Sequence, residues 1–190
     1  MGDESGARRR VARRTLILLA LVCAAPVVAS YVAYYWVRPA ARVNYGELEA
    51  KPAPAIAGST ADGTPWRLDS MQGRWILLVV TGSACDSLCE RALYATRQAR
   101  AIQGREQDRV ARALLLPVGV APPPEALLAQ HPGLIVAQAD PRQWTPALGA
   151  AERIHVLDPL GNLVLTYPAD PDIRRLAKDL ERLLKASRIG

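Results

Sequence analysis

The sequence predicts a layered α/β domain carried behind one membrane-spanning helix. Three observations lead to that expectation. Residues 15–37, TLILLALVCAAPVVASYVAYYWV, run for 23 residues without a charge. Further on, the apolar runs WILLVV (75–80), RALLLPVGV (112–120) and LIVAQAD (134–140) are interleaved with segments of helical period, the pattern of helices layered on a sheet. A pair of cysteines, Cys85 and Cys89, stands directly behind the first of these runs and at the start of the helical segment that follows it.

The apolar run 15–37 exceeds the roughly 20 residues that a span requires. Residues 1–14, MGDESGARRRVARR, carry five arginines against Asp3 and Glu4, and by the positive-inside rule they hold the N-terminus in the cytoplasm. Tyr31, Tyr34, Tyr35 and Trp36 cluster at the far end, before Arg38, where amphipathic rings favour the membrane interface. A cleaved signal peptide is the competing reading, since VVAS offers a small-residue cleavage site. A retained anchor is preferred because the run is longer than a usual signal core and ends in bulky aromatics. Cys23 reads as a small apolar residue within the span, and Pro26 is tolerable there.

Of the net charge of +6, the first 14 residues hold half. The remainder is too weak and scattered for a nucleic-acid surface. No P-loop, dinucleotide glycine motif or zinc-finger spacing is present. The expected organisation is a cytoplasmic basic tail (1–14), an anchor (15–37), a Pro/Ala/Gly-rich tether (38–63) and one folded domain (64–190).

Within that domain Trp75–Val80 is the expected central strand, because a continuous apolar run suits burial on both faces. From Asp86 to Gln103 the helical face is expected to be Leu88, Ala92, Ala95, Ala99 and Ile102. EALLAQHPG reads as a short helix. ERIHVLDPLGNLVLTYP reads as two strands around a turn at Pro159–Asn162. The closing helix is expected to take Asp170 as N-cap with Pro171 at its first position, and to bury Ile173, Leu176, Leu180, Leu183 and Leu184. Strand, cysteine loop, helix, strand, helix, strand, hairpin and helix, in that order, is the thioredoxin arrangement.

The dithiol is the candidate catalytic site. Cys85 falls at or just before the helix N-terminus, where a thiolate is favoured, and Cys89 lies one turn on the same face. The pair can form a disulfide or hold a soft ion such as Cu(I) between two thiolates. An inert structural bridge is the alternative, though a bridge across three residues restrains little chain entropy. His131, in AQHPGL, reads as a polar surface-turn residue. His155, in RIHVLD, is carried as a candidate third metal ligand against the commoner role of a half-buried strand histidine. Met1 and Met71 are the only methionines, so a thioether-rich copper site is excluded, and four zinc ligands are not to be found. Arg91, Arg97, Arg100, Arg105, Arg109 and Arg112 read as a solvated face, with a docking surface for an acidic partner as the sharper alternative. Trp66, Trp75 and Trp144 read as core or edge aromatics.

The anchor, the buried strand before CxxxC and the late HVLDPLGNLVLTYP hairpin resemble the Sco/SenC proteins. LVCAAPVVASYVAYYWVRP, NYGEL, DPLGNL and KASRIG look most like the small Sco-like transmembrane proteins of proteobacteria associated with cytochrome c oxidase assembly. The resemblance implies a thioredoxin-like fold in the periplasm, held in the bacterial inner membrane by one pass. It implies a Cu(I) carrier or thiol reductant for the oxidase copper centre, partnered by an oxidase subunit or another assembly factor. Cys85 and Cys89 match the family's copper-binding cysteines. The family's histidine position aligns with Ala150 or a neighbour in GAAER, while His155 falls inside the strand, and Asp86 replaces the proline usual after the first cysteine. General thiol–disulfide exchange and a non-catalytic scaffold with a structural bridge are the alternatives.

Overall fold

The computed structural model describes residues 3–36, 44–149 and 152–187. The chain divides into two units, Met1–Val43 and Asn44–Gly190. In the first, helix α1 runs from Asp3 to Trp36 with Pro26 inside it. Its 20-residue stretch Arg13–Val32 contains an 18-residue window of mean hydropathy 2.3, long and apolar enough to cross a membrane. The side chains of Tyr34, Tyr35 and Trp36, and the whole of Val37 and Arg38, lie outside the described residues.

The second unit is a mixed sheet with helices. In chain order its strands are β1 (Glu47–Pro52), β2 (Ala57–Thr60), β3 (Pro65–Arg67), β4 (Trp75–Val80), β5 (Val110–Pro117), β6 (Leu134–Ala139), β7 (Arg153–Leu157) and β8 (Asn162–Pro168). Helix α2 (Ser87–Ile102) follows β4, the short α3 (Glu125–Leu128) follows β5, α4 (Thr145–Leu148) follows β6, and α5 (Ile173–Ala186) closes the chain. The strands lie in the order β1-β8-β7-β4-β5-β6-β2-β3.

β4 is central as expected, parallel to β5 and antiparallel to β7. All six of its residues are buried. Trp75, Leu77 and Val79 pack on one face with Leu93 of α2 and Leu176 and Leu180 of α5. Ile76, Leu78 and Val80 pack on the other with Trp66, Trp144 and Leu148. Burial on both faces is why the run shows no alternation. The three tryptophans are core residues. At the β7–β8 turn Gly161 adopts φ +87°, a conformation that a side chain would strain.

Several expectations are corrected. The segment 38–63 is not a tether throughout, because β1 and β2 lie within it. β1 pairs with β8, and β2 bridges β6 and β3. β1 is the edge strand and β2 a four-residue strand next to the opposite edge, and neither is fully buried along its length, so their sequences carry no apolar run. On α2 the buried face comprises Cys89, Ala92, Leu93, Ala95, Thr96 and Ala99. Leu88 and Ile102 are exposed instead, because the stripe is phased on Cys89 and Leu93. The α5 N-cap is Asp172, whose carboxylate accepts from the Arg175 N–H, so the helix starts two residues later than Asp170 suggests. Arg112 and His131 are buried, not at the surface.

Candidate functional site

The site sits where β4 ends and α2 begins. Thr81 continues the strand, its N–H donating to the Leu115 carbonyl at 3.2 Å. Its buried hydroxyl lies 3.1 Å from Glu152 Oε1 and 3.2 Å from the Ser83 carbonyl, and it accepts from the Ser83 N–H at 3.3 Å. Glu152 immediately precedes β7, which pairs with β4 through Val80 and Arg153. The carboxylate therefore ties the loop ahead of Cys85 to the neighbouring strand. The sequence reading missed Glu152. The antiparallel register is what brings it across from Thr81, and local sequence cannot supply that.

Asp86 caps α2, with Oδ1 accepting from the Leu88 N–H at 2.8 Å and the Cys89 N–H at 3.1 Å. This alters the electrostatic expectation for Cys85. Two of the free N–H groups that would favour a thiolate at the helix start are already satisfied by a carboxylate.

Cys85 and Cys89 are joined as a disulfide, with their Cα atoms 5.1 Å apart. Cys85 is partly exposed, whereas Cys89 is fully buried against the α2 face of the sheet. Only Cys85 is open to a nucleophile from outside, and Cys89 is placed to resolve a mixed disulfide formed at Cys85. When reduced, the two sulfurs offer the soft donor set that suits Cu(I). The donor set fits Cu(I) and lacks an imidazole suited to Cu(II).

His155 does not join the cysteines. It pairs in register with Leu78, which faces the Trp144 side of the sheet, while Cys89 packs on the opposite side with Leu77 and Val79. Alternation along a strand sends neighbouring side chains to opposite faces, so the sheet itself separates His155 from the dithiol. This corrects its placement as a candidate ligand. Its Nδ1 lies 3.0 Å from Thr166 Oγ1. The aligned alternative, Ala150, lies outside the described residues.

Burial, and after it the Arg153 charge, holds the His155 imidazolium pKa down from 6.5 to about 4. The folded protein keeps the ring neutral, and the unfolded chain takes up the proton. The resulting stabilisation is complete above about pH 6.5 and is lost as pH falls from there through about 4. We expect urea midpoints of the full chain to fall with acid over that window. The fall should be shallower in His155→Leu by up to ~1.4 kcal/mol per pH unit. Equal slopes in the two proteins would show that His155 is not held neutral.

The family described as "Transmembrane-like, thioredoxin-like, C-terminal domain" matches residues 75–187. No curated protein sequence matches the chain significantly. Among solved structures, apo Sco1 from Thermus thermophilus is 22% identical with a TM-score of 0.60, covering 77% of this chain and 98% of that one. Copper-bound ScoI from Bradyrhizobium japonicum is 17% identical with a TM-score of 0.54, covering 70% and 99%. A putative thiol:disulfide interchange protein DsbE from Chlorobium tepidum is 17% identical with a TM-score of 0.55, covering 74% and 100%. At these identities the shared property is the thioredoxin-like fold.

Proposed function

The chain belongs to the transmembrane-like, thioredoxin-like family through its C-terminal domain, and from that premise we propose that it is a Sco-like assembly factor. In this reading α1 holds it in the bacterial inner membrane with the C-terminal domain in the periplasm. The Cys85–Cys89 dithiol serves cytochrome c oxidase copper-centre assembly as thiol reductant and Cu(I) carrier. An oxidase subunit or another assembly factor is the partner.

The observation that carries this is the asymmetry of the pair: Cys85 reachable, Cys89 sealed, both at a strand–helix junction. An inert bridge in a scaffold has no need of a reachable sulfur. In the reductant role the Cys85 thiolate attacks a disulfide of the partner, forming a mixed disulfide and releasing one partner thiolate. The Cys89 thiolate then attacks the Cys85 sulfur and releases the second. The partner gains two electrons and takes up two protons, and the Cys85–Cys89 bond forms. In the carrier role the same two sulfurs, reduced, hold Cu(I) as cargo. General thiol–disulfide exchange remains the second reading, supported by the fold shared with the interchange protein.

A membrane-impermeant maleimide applied to reduced, intact spheroplasts tests both orientation and order of reactivity. Cys85 should be labelled well before Cys89, without lysis. Labelling only after lysis would place the domain in the cytoplasm, and faster labelling of Cys89 would reverse the assigned roles.

A further inference from the structure

Among the arginines of 91–112, one is a buried exception. Arg112 sits on β5 and is only 3% exposed. Its neighbours two residues on, Leu114 and Leu116, point to the α2 face of the sheet, so by alternation Arg112 points there too. Its Nη2 donates to the Pro132 carbonyl at 2.8 Å. Its Nη1 is buried with no partner among the described residues. His131, next to Pro132, is 4% exposed, and its Nδ1 is likewise buried without a partner.

More positive charge converges on this pair from α2. Arg97 donates to the Gln130 carbonyl, and its guanidinium stands 5.2 Å from the Tyr94 ring centre. Arg100 donates to the Val110 carbonyl at 2.8 Å. Its ion pair is with Asp108 at 3.6 Å, a carboxylate whose side chain is 88% exposed. No other ion pair involving Arg97, Arg100 or Arg112 occurs among the described residues. A buried guanidinium keeps its proton, and an unpaired charge and an unpaired N–H in an interior are both costly.

We infer that Arg112 and His131 form an enclosed binding site for one small inorganic anion, to which Arg112 Nη1 and the Nδ1–H of His131 donate. An anion supplies both the missing acceptor and the missing negative charge, whereas a bound water supplies only the first. The occupant is a free ion, because both groups are sealed from solvent and a partner's side chain cannot reach them without opening the fold. Burial and the surrounding arginines push the pKa of His131 down to about 4 and that of Arg112 down to about 10. A bound anion opposes both shifts. Chloride, phosphate and sulfate share the required acceptor chemistry.

The test uses the full chain in detergent, unfolded thermally in sodium chloride, phosphate or sulfate against sodium gluconate at equal ionic strength. At least one of the three anions should raise Tm saturably, by about 4 °C once it exceeds its half-saturation concentration tenfold. General salt effects raise Tm without saturating and act equally on Arg112→Met, so the saturable rise should be absent in that variant. His131→Gln serves if Arg112→Met does not fold, and the saturable rise should weaken there. In the native chain the His131 imidazole nitrogen resonances should move with the same half-saturation as Tm. Identical Tm series for native and variant chains, or His131 resonances indifferent to all three anions, would overturn the site and leave a buried water as the partner of these groups.

Discussion

Serine at both Cys85 and Cys89 is expected to abolish Cu(I) binding by the reduced full-length chain. Two thiolates suffice for a soft ion in linear coordination, and no methionine lies near enough in sequence to replace them, since Met71 is buried on the other face of the sheet. In competition with a Cu(I) chelator the native chain should retain one ion per molecule. The double variant should lose affinity by more than about a hundredfold, because second-shell changes alone cost 10–100-fold. His155→Ala should leave Cu(I) affinity nearly unchanged, since β7 turns that ring to the face opposite Cys89. In cells the double variant should lower oxidase assembly. Rescue by added reductant marks the thiol role, and rescue by added copper marks the carrier role. Normal assembly in the double variant would leave only the scaffold reading. A large loss of copper affinity on His155→Ala would contradict the separation imposed by the sheet.

How far the sequence discloses this site depends on the range of the contacts. β4 and the helix behind it are legible because burial of Trp75–Val80 on both faces writes a continuous apolar run. The cysteine spacing survives translation into structure because both residues belong to one local strand–helix junction. What fails is whatever depends on register. His155 looks available until pairing with Leu78 fixes its face, and Glu152 looks incidental until the same pairing sets it against Thr81. β1, at the sheet edge, and the four-residue β2 are only partly buried, so ELEAKP and AGST read as linker. Asp170 and Asp172 both stand near a helix start, and only the observed bond to the Arg175 N–H selects the second. Arg112 breaks the rule that charges lie outside, so a reading of charge along the chain places it at the surface.

The same dependence on long-range pairing hides a buried polar anchor of the domain. Asp179 is one of two acidic residues on α5, with Glu181, yet it is 2% exposed. Its Oδ2 accepts from the Tyr45 N–H at 2.7 Å, the Gly46 N–H at 3.0 Å and the Tyr167 hydroxyl at 3.1 Å. Its Oδ1 pairs with Arg182 at 3.3 Å. Tyr45 is held further by Arg175, 4.3 Å above its ring, and by the Asp172 N–H, which donates to its hydroxyl at 3.2 Å. Gly46 leaves room for the Tyr167 ring, since a Cβ there would come within 2.6 Å of Cζ. Together these contacts dock the segment leading into β1 onto the last helix. Asp179→Ala leaves two backbone donors and a buried phenol unsatisfied and removes the buried partner of Arg182. We expect a loss of about 3–5 kcal/mol, a large part of the stability of an ordinary domain. Asp179→Asn keeps one acceptor and should lose less. Gly46→Ala should loosen the same segment through its clash with Tyr167. Because β1 pairs only with β8 among the described residues, hydrogen exchange should speed first at β1 in all three variants, with β4 amides the last to follow. Urea midpoints and exchange on the full chain measure both effects. A loss under about 1 kcal/mol in Asp179→Ala, below the usual cost of unsatisfied buried donors, would refute the anchor. So would β1 amides as protected there as in the native chain.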